Sequence, residues 1–157
     1  MAKFPTEAEH SITVHVPLSH AYKYLWDVVG SSECIPGLKS CKKTGAKDTY
    51  HFYFEERSTG PFTMVVRYTA KYEGNGKDLI TFKSVGGKDD NTDVDGTITL
   101  HASGPKATKV TLRQMTAPDT PVPRLLQGLV RSFVDSESSD AVKQYVQNMK
   151  ANLEGGE

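Results

Sequence analysis

Between Glu9 and Val16 the chain alternates Ile12, Val14 and Val16 against Ser11, Thr13 and His15, the period of a strand with one buried face. Pro17 ends this run, and the spacing then changes to three and four. Tyr22, Leu25, Trp26 and Val29 share one face of a short helix, with Ser19 placed to cap it and Gly30 to stop it. A further turn fits residues 31–35 before Pro36-Gly37 forces a bend.

Period two resumes after the bend. Between Leu38 and Ala117 the chain offers up to six strand-like runs separated by turn signals. One run sets Tyr50, Phe52 and Phe54 on a common face. The next alternates Phe62, Met64, Val66, Tyr68, Ala70 and Tyr72 with polar partners and predicts a single long strand. "GNGKD" reads as a hairpin turn, Phe82 falls in the strand after it, and Val94, Ile98 and Leu100 share a face in another. Antiparallel strands with one apolar face each form a curved sheet that requires a cover. The cover is predicted after "APDTPVP", whose prolines end the last strand and open a helix. There Leu126, Leu129, Val130, Phe133, Ala141, Val142, Tyr145, Val146, Met149 and Leu153 recur at helical spacing. Glu137 and Ser138 interrupt this stripe. A carboxylate on a buried face costs several kcal/mol unless it is paired or wet, so either a water-filled cavity lies there or the helix is rotated slightly from this assignment.

Length and charge narrow the classes. The 157 residues suit one domain. Lys+Arg and Asp+Glu both number 19 and no basic run occurs, which disfavours nucleic acid or an anionic membrane as partner. No stretch approaches a membrane span and no apolar leader opens the chain, so a soluble cytoplasmic protein is expected. The two cysteines, Cys34 and Cys41, form no metal-ligand spacing and lack an activating context. A disulfide or a reactive thiol is conceivable; two small packed thiols are favoured.

Local chemistry is sparse. The acidic run 89–96 places Asn91, Asp93, Asp95 and Gly96 like the start of a calcium loop, but Ala102 stands where a bidentate Glu belongs and the apolar alternation demands a strand. A solvated hairpin is the favoured reading. The five histidines do not cluster, and neither a zinc-hydrolase nor a serine-elbow motif occurs. No metal or cofactor is expected.

The order of one strand, two short helices, an antiparallel run and a long C-terminal helix is that of an α+β helix-grip fold of about seven strands. "ITVHVPLSHAYKYLWDV" resembles the opening of the START-like (SRPBCC) superfamily. Asp27 followed by "ECIPGLKSC" is similar to the CoxG and polyketide cyclase-like branch, as are the glycines at 60, 96 and 128. In CoxG members a Cys usually follows the Ile-Pro-Gly directly; here Leu38 takes that place. The resemblance covers nearly the whole chain, 1–157, as a single domain. It implies a small hydrophobic or lipid-like ligand held between sheet and helix.

The residues agree with that implication, because Phe52, Phe54, Met64, Val66, Phe82, Val94 and Ile98 oppose Leu126, Leu129, Val130 and Phe133, although the same set would serve equally as plain core. Met64 and Met115 would adapt a pocket to several shapes. Tyr68, Gln114 and Glu137 are the polar candidates to orient a ligand. Ile35 and Pro36 are expected at the cavity mouth. Three roles stay open: a binding protein, which is favoured; a cyclase or dehydratase using Glu137 with Tyr68 or a histidine; and an assembly factor with a protein partner, marked by an exposed apolar patch.

Overall fold

The chain begins with two strands, β1 (Ala2–Lys3) and β2 (Thr6–Val14). β2 is shifted toward the N-terminus from the expected run between Glu9 and Val16, because Thr6 and Ala8 already occupy the buried parity. The computed structural model describes residues 2–59, 62–87, 90–120 and 124–155. Gly60, Asp89, the residues 121–123 and the terminal pair 156–157, all drawn on above, lie outside these ranges.

Helix α1 (Leu18–Trp26) follows, buried through Ala21, Tyr22 and Leu25. Ser19 does not cap it. Pro17 occupies the cap position with no side-chain hydrogen bond, and Ser19 lies inside the first turn. The boundary instead rests on Asp27, which ends α1 and caps α2 (Val28–Ser31) by accepting the Gly30 N–H at 3.2 Å. A Cβ on Gly30 would stand 2.2 Å from Asp27 Oδ2, so this cap requires glycine there. A 3₁₀ turn (Ser32–Cys34) completes the segment.

The sheet comprises β3 (Leu38–Lys43), β4 (Thr49–Phe54), β7 (Arg67–Gly74), β8 (Leu79–Ser84), β9 (Thr92–Gly104) and β10 (Ala107–Thr120), with β5 (Arg57–Thr59) and β6 (Phe62–Met64) forming a separate ribbon. All pairings are antiparallel, in the order β1-β10-β9-β8-β7-β4-β3, with β2 also on β10. Seven strands longer than two residues thus make the main curved sheet, as the alternation predicts. Two expectations fail. The eleven-residue alternation from Phe62 to Tyr72 is two strands, interrupted at Val65 and Val66. There Asn91 bridges the break, accepting from Arg67 N–H at 2.9 Å and donating to the Val65 carbonyl. Nor does Pro118 end the last strand: β10 runs through it to Thr120, its carbonyl accepting the Phe4 N–H at 3.0 Å, while Pro121 and Pro123 lie outside the described residues.

Helix α3 (Gln127–Gly155) covers the concave face, preceded by a 3₁₀ turn (Arg124–Leu126). Val142, Val146, Met149 and Leu153 enter the main core beside Val14, Phe52, Ile80 and Val110. Val130 and Val134 join Phe4 in a second, smaller cluster against Met64 and Phe133. Between these clusters the helix presents Glu137, Ser138 and Ala141.

The helix end is tied to β2 by charge. Glu154 accepts from the His15 N–H and from Lys150 Nζ, both at 2.8 Å, while Lys150 also donates to the Thr13 carbonyl at 2.8 Å. The Lys150 and His15 bonds hold the Glu154 carboxyl down to about 2 from its ordinary value of 4.5. A depressed carboxylate stabilises the fold above its unfolded value and loses that contribution as pH falls. The melting-temperature gap between the protein and its Glu154→Gln variant should therefore be fully present above about pH 5 and close between there and pH 2. A gap constant with pH would refute the coupling.

Candidate functional site: a two-chambered cavity under the long helix

Three segments with no local similarity meet where α3 is polar. The first is the bend at Ile35, Pro36 and Gly37. Gly37 has φ +74°, and its carbonyl accepts the Glu55 N–H at 2.8 Å, which fastens the bend to the end of β4. Cys34 secures the same segment to α3: its buried Sγ lies 3.1 Å from Tyr24 Oη and 3.3 Å from Asn152 Nδ2, and its carbonyl accepts from Asn148 Nδ2 at 3.0 Å. Burial pushes the thiols of Cys34 and Cys41 up, and both are free, so neither is activated.

The second segment is an aromatic wall on β4, β7 and β8. Phe52 stacks on Tyr68 at 4.9 Å, Phe54 tilts against Tyr68 at 5.8 Å, and Tyr72 stacks on Phe82 at 5.2 Å. The third is the polar stretch of α3 itself.

These surfaces enclose two adjoining chambers. The inner one, about 90 Å³, is bounded by Leu25, Val28, Ile35, Tyr68, Tyr72, Phe82, Ile98 and Tyr145. The outer one, about 140 Å³, is bounded by Met64, Val66, Phe133, Glu137 and Ser138. Pro36, Phe54, Tyr68, Gln114 and Ala141 border both, so the chambers meet. An engineered apolar cavity of about 150 Å³ takes up benzene. The space therefore suits a compact molecule of one or two rings.

The charged groups on this wall sit in the outer chamber. Arg57 Nη1 lies 3.2 Å from Glu137 Oε2, both partly exposed. Ser138 Oγ is buried without a protein partner. Gln114 donates from Nε2 to Thr116 Oγ1 at 3.0 Å. No histidine borders either chamber. Glu137 and Ser138 do face the sheet, which is the cavity alternative of the two left open above.

Of the residues singled out from sequence, Ile35, Pro36, Phe54, Met64, Val66, Tyr68, Phe82, Ile98, Gln114, Phe133 and Glu137 border this space. Six do not. Phe52 and Val94 are fully packed core behind the wall, and Val130 belongs to the Phe4 cluster. Met115 points to the opposite face of β10, beside Glu7, Asp95 and Arg113, because adjacent strand residues cannot share a face. Leu126 lies in the 3₁₀ turn before α3, away from both chambers, and Leu129 is 65% exposed on the outer side of α3. Tyr72, Tyr145, Arg57 and Ser138 were not singled out for the wall from sequence. The first two read as core, and Arg57 reaches the wall only through tertiary contact with Glu137.

The described part of the acidic run leads into β9 rather than continuing as a loop. Asp93 and Asp95 are exposed on β9, Asp93 pairing with Lys3 at 2.8 Å, while Asn91 serves the strand break. No group of three or more metal-ligating side chains occurs among the described residues. Nor is any described helix long and apolar enough to cross a membrane.

The curved sheet closed by one long helix is the START-like helix-grip fold. A START superfamily protein from Mycobacterium smegmatis matches it with a TM-score of 0.72 at 12% identity, over 96% of this chain and 99% of that one. A protein from Thermus thermophilus matches at 0.73 and 15% identity, over 96% and 98%. An aromatase/cyclase from Streptomyces sp. R1128 matches at 0.65 and 11% identity, over 97% and 98%. No family profile matches the sequence, and no curated protein is similar to it in sequence.

Proposed function

We propose that residues 1–157 form one domain that binds a small hydrophobic molecule in the two chambers, as a carrier of the CoxG-like kind. The carrying observation is the wall itself: mostly aromatic and aliphatic in the inner chamber, with no charged side chain there, while Arg57 and Glu137 of the outer chamber engage each other at 3.2 Å. The fold shared with a START superfamily protein supports the reading. A cyclase-type reaction would require a free acid/base pair, whereas Glu137 is held by Arg57 and no histidine is at hand. A protein-contact role as an assembly factor draws support from Leu125 and Leu129, exposed by 96% and 65% at the start of the long helix.

Ala141 borders both chambers from α3, so a larger side chain there projects into the passage between them. Native mass spectrometry of the purified protein should show a bound apolar molecule. Titration with a naphthalene probe should give saturable binding that Ala141→Phe weakens by roughly tenfold or more, since overpacking a fitted site costs ~1–3 kcal/mol. Unchanged affinity in Ala141→Phe would place the probe elsewhere and end this reading.

A further inference from the structure

Buried tyrosine hydroxyls ordinarily find a partner. Two tyrosines of α1 do so: Tyr22 accepts the Gly76 N–H at 2.8 Å, and Tyr24 lies 3.1 Å from Cys34 Sγ. Tyr68, Tyr72 and Tyr145 differ. All three border the inner chamber, yet none of their hydroxyls meets a partner among the described residues. Unlike Ser138 Oγ at the edge of the outer chamber, none of these three hydroxyls is fully covered, and each belongs to a residue that borders the inner chamber. They come from two elements, β7 and α3, and border one space whose remaining wall is mostly hydrocarbon.

The other polar side chains of that chamber have partners for their donors, while Gln114 Oε1 is an acceptor on the same wall. Ser31 and Ser32 donate back to the Asp27 and Val29 carbonyls at 2.8 and 2.6 Å, and Gln114 Nε2 is committed to Thr116. No charged side chain borders the inner chamber. An anionic group placed there would be desolvated without a counter-charge, which is strongly unfavourable. Desolvation raises all three phenols above their ordinary value, so they are O–H donors at neutral pH. Stacking against Phe52 and Phe82 holds the rings of Tyr68 and Tyr72 in place.

We propose that the inner chamber receives the neutral carbonyl end of a flat ring compound, with the hydroxyls of Tyr68, Tyr72 and Tyr145 as its donors. The inference rests on the cavity-binding reading and deepens it by naming the ligand's chemistry and direction of entry. The inner space is smaller than benzene's known ~150 Å³ cavity, so the carbonyl end enters it while the ring body lies in the outer chamber.

The test compares 2-acetonaphthone with 2-isopropenylnaphthalene, a pair of closely similar shape in which a planar C=CH2 group replaces the carbonyl. Both are titrated into the protein and into Tyr68→Phe, Tyr72→Phe, Tyr145→Phe and the triple variant. Because the hydrocarbon partitions out of water more readily, the readout is the ketone-to-hydrocarbon affinity ratio relative to the unaltered protein. That ratio should fall by roughly threefold to tenfold for each hydroxyl that donates, the worth of one net neutral hydrogen bond, with hydrocarbon affinity unchanged. The infrared carbonyl band of bound ketone should sit lower in the unaltered protein than in the triple variant. Ligand-free melting temperatures should stay level or rise in the variants, since no hydrogen bond is lost. A fall in melting temperature with both probes weakened alike would show a purely structural role and overturn the inference. An unchanged ratio with both probes bound overturns it too and leaves the cavity reading intact. Failure of the unaltered protein to take up either probe overturns the cavity reading, and this inference with it.

Discussion

Phe52→Ala should remove roughly 3–5 kcal/mol of unfolding free energy, the usual cost of truncating a buried phenylalanine. Phe52 has no exposed surface, stacks on Tyr68 at 4.9 Å and tilts against Tyr72 at 6.2 Å. It therefore buttresses from the neighbouring strand the two tyrosines that border the inner chamber from β7. A domain holds only about 5–15 kcal/mol in total, so the variant should unfold at a much lower urea concentration. Leu129→Ala is the control, because an exposed site away from special features changes stability by only about 0.5 kcal/mol either way. Urea titrations followed by circular dichroism would decide between them. A Phe52→Ala loss no greater than that of Leu129→Ala would refute the packing described here.

Much of this architecture is legible in the chain because periodicity is a local property. Tyr50, Phe52 and Phe54 share a face in β4 as their spacing demands, and the bend at Pro36-Gly37 falls between helix and sheet. Where local pattern underdetermines the answer, tertiary contacts decide. Leu129 and Val134 are both apolar, and either could lie on the buried face of α3. Phe4, more than a hundred residues away, selects Val134 by packing with Val130, which leaves Leu129 outside. The interruption between β6 and β7 is likewise invisible in an unbroken alternation, since its cause is the distant side chain of Asn91. Met115 is a different case. Its neighbour Gln114 has the parity of Val110 and Leu112, so the strand period alone excludes Met115 from the same wall. Tyr68 was legible as a polar candidate, whereas Tyr72 and Tyr145 escaped notice because they carry the apolar positions of their elements, and only the enclosed space reveals which hydroxyls lack partners.

Gly96→Ala should both destabilise the fold and close the inner chamber. Gly96 pairs with Phe82 across β9 and β8, and the Phe82 ring lies directly over it. A Cβ at position 96 would stand 2.2 Å from Phe82 Cζ and 2.6 Å from Cε2, distances no packed pair tolerates. The ring must move. Its way back is limited by Tyr72, stacked on it at 5.2 Å, whereas the side facing the inner chamber is open. Displacement into that space relieves the clash, which holds the stability cost near the usual ~1–3 kcal/mol for overpacking. The same movement sets a phenyl ring where the ligand's carbonyl end would lie, in a chamber of only about 90 Å³. Probe binding should then fall below detection in a protein that still melts cooperatively. Gly96→Ala with Phe82→Leu should restore uptake, because the shorter side chain clears the new Cβ without entering the chamber. Full binding by Gly96→Ala alone would mean that the ring has another way out and that the inner chamber is not where the probe is held.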